Sequence, residues 1–216
     1  MTKRAARPVR RGVAGLVLHR AALYDLTIAL FTLGRERAFR ERILGLAGLA
    51  PGESVLDVGC GTGTLALAAK CQVGPRGMVA GIDASPEMIA RADKKARKAR
   101  IDVAFGNAPA QALPFPDAQF DAVLATIMFH HLPQTSRRQC AGEMRRVVKP
   151  GGRVLAVDFA KGARNQHGLL AHFHRHGHVD IGDLAAILSN AGLEIVASGA
   201  VGANDLQFVL GKRSNA

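Results

Sequence analysis

The sequence predicts one α/β domain built on a seven-stranded, mostly parallel sheet with helices on both faces. Three observations support this fold. Short apolar runs typical of strands alternate with helical patterns between residues 54 and 159. The first run, at 54–58, leads into three glycines spaced two apart and then into a helix. Two further strand patterns at the carboxyl end are joined by a short Gly-containing connection, which predicts an antiparallel C-terminal hairpin.

Three segments follow from the order of these patterns. Residues 1–18 are basic and are predicted to form a disordered tail. Residues 19–50 show two helical patterns separated at Gly34, and we expect them to form two N-terminal cap helices. Residues 51–216 form the α/β domain, which begins at the turn Pro51-Gly52.

The elements of the domain follow from apolar runs, turn residues and helix caps. After the strand at 54–58, strands are predicted at 78–83, 102–105, 120–125, 153–159, 193–198 and 206–210. Helices are predicted at 64–70, from 86 to about 100, at 135–148 and at 181–191. Ser85 and Pro86 are the expected N-cap and first helical residue of the second of these helices.

Length and composition indicate a folded protein with one core. The chain has 216 residues, 48% of them hydrophobic, and no apolar run approaches the ~18 residues of a membrane span. The apolar run at 13–18 is too short for a signal peptide and has no small-residue cleavage site, so we expect a cytoplasmic protein. Cysteines at 60, 71 and 140 give neither a disulfide framework nor metal-ligand spacing.

The chain is strongly basic, with a formal net charge of +12. Residues 91–100 hold six basic side chains and a single acidic one, Asp93. Such a charge attracts nucleic acid, anionic lipid or an acidic substrate, although a solvated helix face and a basic tail also account for it. With no Trp and one Tyr, the chain lacks the aromatic residues on which bases stack.

The glycine turn after the first strand indicates a nucleotide-type pocket. Two acidic residues near it limit the classes of ligand that the pocket could bind. Asp83 ends the second strand, where its carboxylate can accept both hydroxyls of a ribose. A dinucleotide fingerprint would place its third glycine at position 64, which is Thr64 here. Asp57 beside the turn would repel a pyrophosphate, since like charges ~4 Å apart cost several kcal/mol, but it suits a cationic amino-acid end. These residues favour S-adenosylmethionine over a nicotinamide dinucleotide.

At this point the chain resembles the class I S-adenosylmethionine-dependent methyltransferases, whose fold is Rossmann-like. The motifs that carry the resemblance occur in order over residues 20–160: Asp57-Val58-Gly59-Cys60-Gly61-Thr62-Gly63, Gly81-Ile82-Asp83 with Ser85-Pro86-Glu87-Met88, Gly106-Asn107-Ala108 through Leu113-Pro114-Phe115, Phe120-Asp121, and Arg146-Val147-Val148-Lys149-Pro150-Gly151-Gly152. Any one of these motifs is weak alone, and their order makes the resemblance strong.

Within that family the nearest pattern is that of the C-methyltransferases of ubiquinone and menaquinone biosynthesis. Three stretches resemble theirs: Tyr24-Asp25-Leu26, Asn107-Ala108 and Asp158-Phe159-Ala160-Lys161. Those enzymes have a long insert after the fifth strand that helps form the quinone site. Here only about twenty His-rich residues follow that strand. The acceptor therefore stays open between quinone-like, lipid-like and phenol-like molecules.

The resemblance implies a cofactor-binding role for residues on several elements. They are Tyr24, Asp57, Gly59, Gly61, Gly63, Asp83, Ala84, Met88, Asn107, Ala108 and Thr126. Asp57 is expected to hold the amino group of the cofactor and Asp83 its ribose. Thr126 is expected near the methionine end. For both acids the alternative is a strand-end cap or turn residue.

The remaining cofactor positions are expected around the adenine or over the pocket. Ala84 and Met88 would cover one adenine face, although core packing explains Met88 nearly as well. Asn107 and Ala108 would contact the adenine edge. Tyr24 would close over the cofactor from the first helix, with simple packing as the alternative.

Histidines mark the expected acceptor side. His130 and His131 follow the fourth strand, where one of them could act as a base or orient the acceptor. His174 and His176 belong to the His-rich stretch 167–178, which is either an acceptor wall or a solvated loop. Methyl transfer from a sulfonium needs no metal, so we predict no metal site despite the spacing of these histidines.

The sequence thus predicts a small-molecule methyltransferase that uses S-adenosylmethionine. Its basic amino-terminal helices favour peripheral association with an anionic membrane surface. Two alternatives remain open. One is methylation of RNA or another nucleic acid, which the charge favours but the residues after the fourth strand do not. The other is a protein that binds the cofactor without catalysis.

Overall fold

A computed structural model describes residues 36–160, 179–202 and 206–215 of the chain. Five helices lie in these ranges: α1 (Glu36–Ala47), α2 (Thr64–Val73), α3 (Pro86–Ala99), α4 (Gln134–Val147) and α5 (Ile181–Asn190). The strands are β1 (Ser54–Val58), β2 (Met78–Asp83), β3 (Ala104–Asn107), β4 (Phe120–Thr126), β5 (Val148–Phe159), β6 (Glu194–Ala200) and β7 (Leu206–Lys212). A short 3-10 helix, Phe129–His131, follows β4.

The strands form one seven-stranded sheet in the order β3-β2-β1-β4-β5-β7-β6. The pairs from β3 to β5 are parallel, whereas β7 is antiparallel to both β5 and β6. This arrangement confirms the mostly parallel sheet and its C-terminal hairpin. The strand order reverses between β1 and β4, so the crevice at their carboxyl ends is the place where such sheets bind ligands.

Each face of the sheet carries its own hydrophobic core. On one face, β-strand residues such as Val55 and Leu124 pack with α1 and α2. On the other face, residues such as Leu56 and Val123 pack with α4 and α5. Neighbouring residues of β1 and β4 alternate between the two cores because successive side chains of a strand point to opposite faces.

Side chains cap the starts of two of the described helices. The Ser85 side chain accepts a hydrogen bond from the backbone N–H of Met88 at 3.3 Å, and Pro86 is the first residue of α3, which confirms that predicted start. Asp180 caps α5 by accepting from the backbone N–H of Gly182 at 2.8 Å.

Among the described helices, none is long and apolar enough to cross a bilayer.

Two strands begin at least two residues away from the predicted start. The third strand begins at Ala104, two residues later than expected, because β2 is its one partner among the described strands and pairing starts with Ala80 opposite Ala104. The fifth strand begins at Val148 rather than at residue 153, because Val148 already pairs with Phe120 before the register shifts. Residues 149–152, which the prediction left between a helix and a strand, therefore belong to β5, beside a register shift in its pairing with β4.

Arg153 fixes the end of α1 against the sheet. Its guanidinium forms two hydrogen bonds with the Glu53 carboxylate, of 2.8 and 2.7 Å, and it also donates to the carbonyl oxygens of Ala47 and Gly48. Those carbonyls end α1, where helix carbonyls lack partners of their own. The predicted tail at 1–18 and the first cap helix lie outside the described residues, and α1 corresponds to the second cap helix.

Candidate functional site

The turn between β1 and α2 has a backbone that only glycine adopts without strain. Gly59, Gly61 and Gly63 have φ angles of 72°, 53° and 77°. A Cβ on Gly59 would lie 2.9 Å from Met128 Cβ, and one on Gly63 would lie 2.6 Å from Phe105 Cζ. The glycines therefore allow both the left-handed conformation and the close approach of neighbouring elements.

Asp83 ties the end of β2 to this turn. One carboxylate oxygen accepts a hydrogen bond from the backbone N–H of Gly61 at 3.0 Å, and the other accepts from the N–H of Ser85 at 2.8 Å. Burial raises the pKa of Asp83, and these two hydrogen bonds partly offset that effect. Each oxygen retains acceptor capacity, so the side chain can receive two further donors such as the hydroxyls of a diol.

Asp57 is a buried carboxyl group with one oxygen that has no protein partner. Its side chain is 2% exposed, and the backbone N–H of Ala66 donates to it. The second oxygen, Oδ2, is buried and makes no hydrogen bond with the part of the chain that the structure describes. Burial, together with the charge of Asp83, raises the pKa of Asp57 to about 7. A cationic ligand group would satisfy this oxygen and favour the ionised form.

The predicted adenine contacts meet at the ends of β2 and β3. The Asn107 side-chain amide and the backbone N–H of Ala108 both donate to the carbonyl oxygen of Asp83, at 2.9 and 3.1 Å. Ala84 is half-buried in the link between β2 and α3. Met88 is 2% exposed on α3, which agrees with the core-packing alternative as well as with a ligand contact.

The end of β4 supplies a second polar atom without a protein partner. Thr126 is the last residue of the strand, and its Oγ1 is buried and has no hydrogen-bond partner among the described residues. Because Asp57 pairs with Leu124 and Thr126 lies two residues further on, the Asp57 and Thr126 side chains share one face of the sheet. Two unsatisfied polar atoms on neighbouring strand ends indicate a ligand site.

The chain turns sharply after Thr126. Ile127 has a φ of 56°, which is strained for a β-branched residue, and its N–H donates to the carbonyl oxygen of Val157 at 2.7 Å. Met128 then packs against Gly59, and the 3-10 helix follows. The strained residue thus brings the segment after β4 alongside the glycine turn.

His130 lies in that 3-10 helix and pairs with Asp158 on β5. The His130 Nδ1 and Asp158 Oδ1 atoms are 2.7 Å apart, and the backbone N–H of His130 donates to Asp158 Oδ2 at 3.1 Å. Both side chains are 1% exposed. The His131 ring packs on the His130 ring with a centroid distance of 3.9 Å. Both predicted histidines therefore lie together at the carboxyl edge of β4 and β5.

The structure brings together the sequence-predicted residues of the glycine turn, of the β2 and β3 ends and of the β4 end. Three predicted residues, Tyr24, His174 and His176, lie outside the described residues. Among the described ranges, sequence reasoning missed Asp158 as a site residue. The sequence pattern around Asp158 is the same as that around Asp83, since both acids lie at or next to the last residue of an apolar strand.

Lys95 and Met128 were also missed. Lys95 on α3 donates to the hydroxyls of Thr62 and Thr64, at 2.6 and 3.0 Å, and so joins α3 to the glycine turn. Met128 packs on Gly59. Neither residue has a sequence signal, because each contact depends on how elements distant in the chain are packed.

This arrangement fits the ligand that the sequence resemblance implies. Asp57 offers an acceptor to a cationic amine, Asp83 offers acceptors to a diol, and the glycine turn leaves its backbone open to close approach. The same features suit S-adenosylmethionine, which carries an ammonium group, a sulfonium and a ribose. When bound, this group would supply an activated methyl carbon to an acceptor.

The comparisons with known proteins agree with this fit. A family model described as "Methyltransferase domain" matches residues 55–152. The demethylmenaquinone methyltransferase of Thermus thermophilus is 38% identical over 150 residues, which cover 69% of this chain and 67% of the relative. A ubiquinone/menaquinone biosynthesis C-methyltransferase of Cupriavidus taiwanensis is 36% identical over 149 residues, which cover 69% of this chain and 60% of that protein. The chain thus spans about 60% to two thirds of the length of these relatives.

Solved structures share the fold. The chain is similar to a SAM-dependent methyltransferase from Aquifex aeolicus with a TM-score of 0.74 and 24% identity, covering 91% of this chain and 99% of that chain. It is also similar to geranyl diphosphate C-methyltransferase from Streptomyces coelicolor, a complex that contains S-adenosyl-L-homocysteine, with a TM-score of 0.69 and 18% identity. That match covers 82% of this chain and 76% of the other.

Proposed function

The chain belongs to the class I S-adenosylmethionine-dependent methyltransferases, and we propose on this basis that it transfers a methyl group from that cofactor to a small molecule. The observation that carries the proposal is a pair of buried polar atoms that have no partner within residues 36–160, 179–202 and 206–215: Asp57 Oδ2 and Thr126 Oγ1, on neighbouring strand ends beside the glycine turn. A buried carboxylate oxygen without a donor is costly, so it favours a ligand that brings one.

The proposed binding mode assigns each end of the cofactor to one strand end. Asp57 holds the ammonium group, and Asp83 holds the ribose hydroxyls while it also fixes the turn through Gly61. Asn107 and Ala108 border the adenine, since both are held at the carbonyl of Asp83. Thr126 and the following histidines then border the methyl group, which leaves the acceptor on the side of the 3-10 helix.

For the acceptor we propose a quinone-type molecule in its reduced, hydroquinone form. Support comes from the two relatives whose names specify demethylmenaquinone and ubiquinone or menaquinone synthesis. A hydroquinone ring is electron-rich and can attack the methyl carbon, which the oxidised quinone cannot. Methyl transfer of this kind depends on approach geometry and on exclusion of water, and a base contributes when the acceptor must lose a proton.

We further propose that the protein acts in the cytoplasm at an anionic membrane surface. The net charge of +12 and the exposed basic side chains of α3 support this, because basic residues near such a surface each contribute about 1 kcal/mol of attraction. A hydroquinone with an apolar tail would be found at such a surface. The charge therefore agrees with the proposed acceptor class.

A transfer assay tests the proposal. The protein is incubated with methyl-labelled S-adenosylmethionine and, separately, with a short-chain demethylmenaquinol, simple phenols, phospholipid vesicles, small amines and total RNA. We expect label in the demethylmenaquinol. Asp83→Ala should weaken S-adenosylhomocysteine binding and lower transfer, whereas Asp102→Asn, an exposed change just before β3, should affect neither.

Each other outcome has a distinct meaning. Label in RNA alone would overturn the small-molecule proposal. Tight binding of S-adenosylhomocysteine without label in any acceptor would favour a protein that binds the cofactor without catalysis. Label in a phenol but not in the demethylmenaquinol would keep the methyltransferase proposal and replace the quinone.

A further inference from the structure

We propose that Asp158 is a positioning residue that fixes the tautomer of His130, so that His130 Nε2 accepts a proton from the methyl acceptor. This inference deepens the proposed methyl transfer and rests on it. It restricts the acceptor to molecules that lose a proton when they are methylated, such as a hydroquinone or a phenol.

The hydrogen bonds around Asp158 indicate which side chain carries the proton between Asp158 and His130. Asp158 Oδ1 lies 2.7 Å from His130 Nδ1, and the carboxylate accepts hydrogen bonds from the backbone N–H of His130 at 3.1 Å and of Phe159 at 2.8 Å. An ionised carboxylate can only accept hydrogen bonds, as it does from these two backbone donors. We therefore assign the proton between the two side chains to His130 Nδ1.

A neutral imidazole that carries its proton on Nδ1 has a lone pair on Nε2. Among the described residues, His130 Nε2 is buried and has no hydrogen-bond partner. The ring cannot rotate to change which nitrogen faces Asp158 without losing the 2.7 Å contact, and the rings of His131 and Phe159 pack against it, with centroids at 3.9 and 5.3 Å. The geometry thus presents a fixed proton acceptor.

The pair lies at the same sheet edge as the proposed donor site. Thr126, whose Oγ1 also lacks a partner, ends β4 four residues before His130, and Met128 between them packs on Gly59 of the glycine turn. Asp158 lies near the end of β5, the neighbour of β4. A proton acceptor placed here adjoins the methyl end of the cofactor in the proposed binding mode.

The proton and electron balance follows from the acceptor chemistry. An O–H bond of the hydroquinone breaks, its proton moves to His130 Nε2, and its electron pair makes the oxygen or a ring carbon nucleophilic. That atom bonds to the methyl carbon while the S–CH3 bond breaks and leaves its electron pair on sulfur, giving a neutral thioether. After attack by carbon, the proton on that carbon moves to the oxygen and restores the aromatic ring. The resulting imidazolium is stabilised by the Asp158 carboxylate.

Nitrogen-15 NMR of the labelled 216-residue chain tests the tautomer without an acceptor. We expect the His130 signals, assigned by their loss in His130→Gln, to show a protonated Nδ1 and an unprotonated Nε2 in the presence of S-adenosylhomocysteine. Asp158→Asn should move the proton to Nε2, because the amide can donate to Nδ1. Asp102→Asn is the matched control and should leave the pattern unchanged. A wild-type His130 protonated on Nε2 would overturn the inference.

Kinetics with demethylmenaquinol, or with the acceptor that the panel identifies, test the proton transfer itself. Both His130→Gln and Asp158→Asn should lower kcat by about 10²-fold. Unchanged S-adenosylhomocysteine affinity in these variants would show that the donor site is intact. Wild-type kcat in His130→Gln would refute the inference while the methyltransferase proposal stands.

Discussion

The backbone N–H of Gly61 donates to Asp83 Oδ2 over 3.0 Å, so the acid that ends β2 holds the glycine turn that follows β1. One side chain thus couples the two strand ends that form the proposed donor pocket. A change at Asp83 should alter the shape of the turn as well as any direct contact with the ribose.

Asp83→Ala should weaken S-adenosylhomocysteine binding by about 10- to 100-fold, since hydrogen bonds to charged groups contribute about 1.5 to 3 kcal/mol. Asp83→Asn should have an intermediate effect, because one amide oxygen still accepts. Calorimetric titration measures both affinities, with Asp102→Asn as control. Equal affinity of Asp83→Ala and wild type would rule out the assigned role.

Gly59→Ala should destabilise the protein by about 2 to 4 kcal/mol, because it combines left-handed strain with overpacking against Met128 Cβ at 2.9 Å. Gly45→Ala is the matched control. Gly45 is exposed within α1 and has open space around it, so the change should stabilise the protein by about 0.5 to 1 kcal/mol. Denaturant unfolding measures both. Destabilisation of the same size at both positions would contradict the close packing of the turn.

Cofactor affinity should rise with pH because of Asp57. Its pKa is raised to about 7, so the carboxylate that pairs with the ammonium group forms as the pH increases from 5.5 to 7.5. The stability of the free protein should change in the opposite direction. A raised folded-state pKa means that the folded state binds more protons than the unfolded state between about pH 4 and 7, so stability from this group falls across that window.

Asp57→Asn should flatten both pH dependences, since the amide does not titrate. Isothermal titration with S-adenosylhomocysteine gives the affinity at each pH, and thermal unfolding of the free protein gives the stability. A wild-type affinity that does not change between pH 5.5 and 7.5 would contradict pairing between Asp57 and the ammonium group.

Arg153→Met should destabilise the protein by about 1 to 3 kcal/mol without changing cofactor affinity. The guanidinium is 20% exposed, pairs with Glu53 through two hydrogen bonds and satisfies the carbonyl oxygens at the end of α1. Arg153→Lys should recover little, because an ammonium cannot form the paired hydrogen bonds. Denaturant unfolding measures the loss, and Arg138→Met on the exposed side of α4 is the control.

Binding to anionic vesicles should decrease steeply with ionic strength if the basic side chains of α3 carry the membrane association. The test variant replaces three exposed cations of α3 with glutamine: Lys94, Arg97 and Lys98. The control replaces three exposed cations that are scattered over other elements: Arg76, Arg138 and Lys212. Vesicle sedimentation should show a larger loss for the first variant. Equal losses would mean that net charge alone, rather than this helix, attracts the membrane.

Most of the fold could be predicted because its signals are local. The apolar run of β2, the cap formed by Ser85 and Pro86, and the glycine after α5 each depend on a few adjacent residues. The starts of β3 and β5 could not be predicted so well. Both depend on pairing with distant strands, as shown by Val148, which pairs with Phe120 before the register shifts.

The candidate site likewise contains residues that the local sequence predicts and contacts that depend on tertiary packing. Asp57 and Asp83 could be placed because acids at the ends of apolar strands reach one sheet edge, and their roles toward the cofactor stay predictions. The contact of Met128 with Gly59 could not be foreseen, since it depends on Ile127 adopting a φ of 56° against the preference of a β-branched residue. Tertiary packing overrides local preference at that point.

The pairing of β1 with β4 joins distant parts of the chain and so affects how the protein folds. Val55 pairs with Ala122, so the two halves of the pocket come from segments far apart in the chain and meet only when a large loop closes. The cofactor should therefore bind the completed sheet and not a chain in which β1 and β4 have not yet paired. At a hundred times its Kd, it would add about 2.7 kcal/mol to the free energy of unfolding, so the supply of methyl donor would also regulate how long the enzyme survives in the cell.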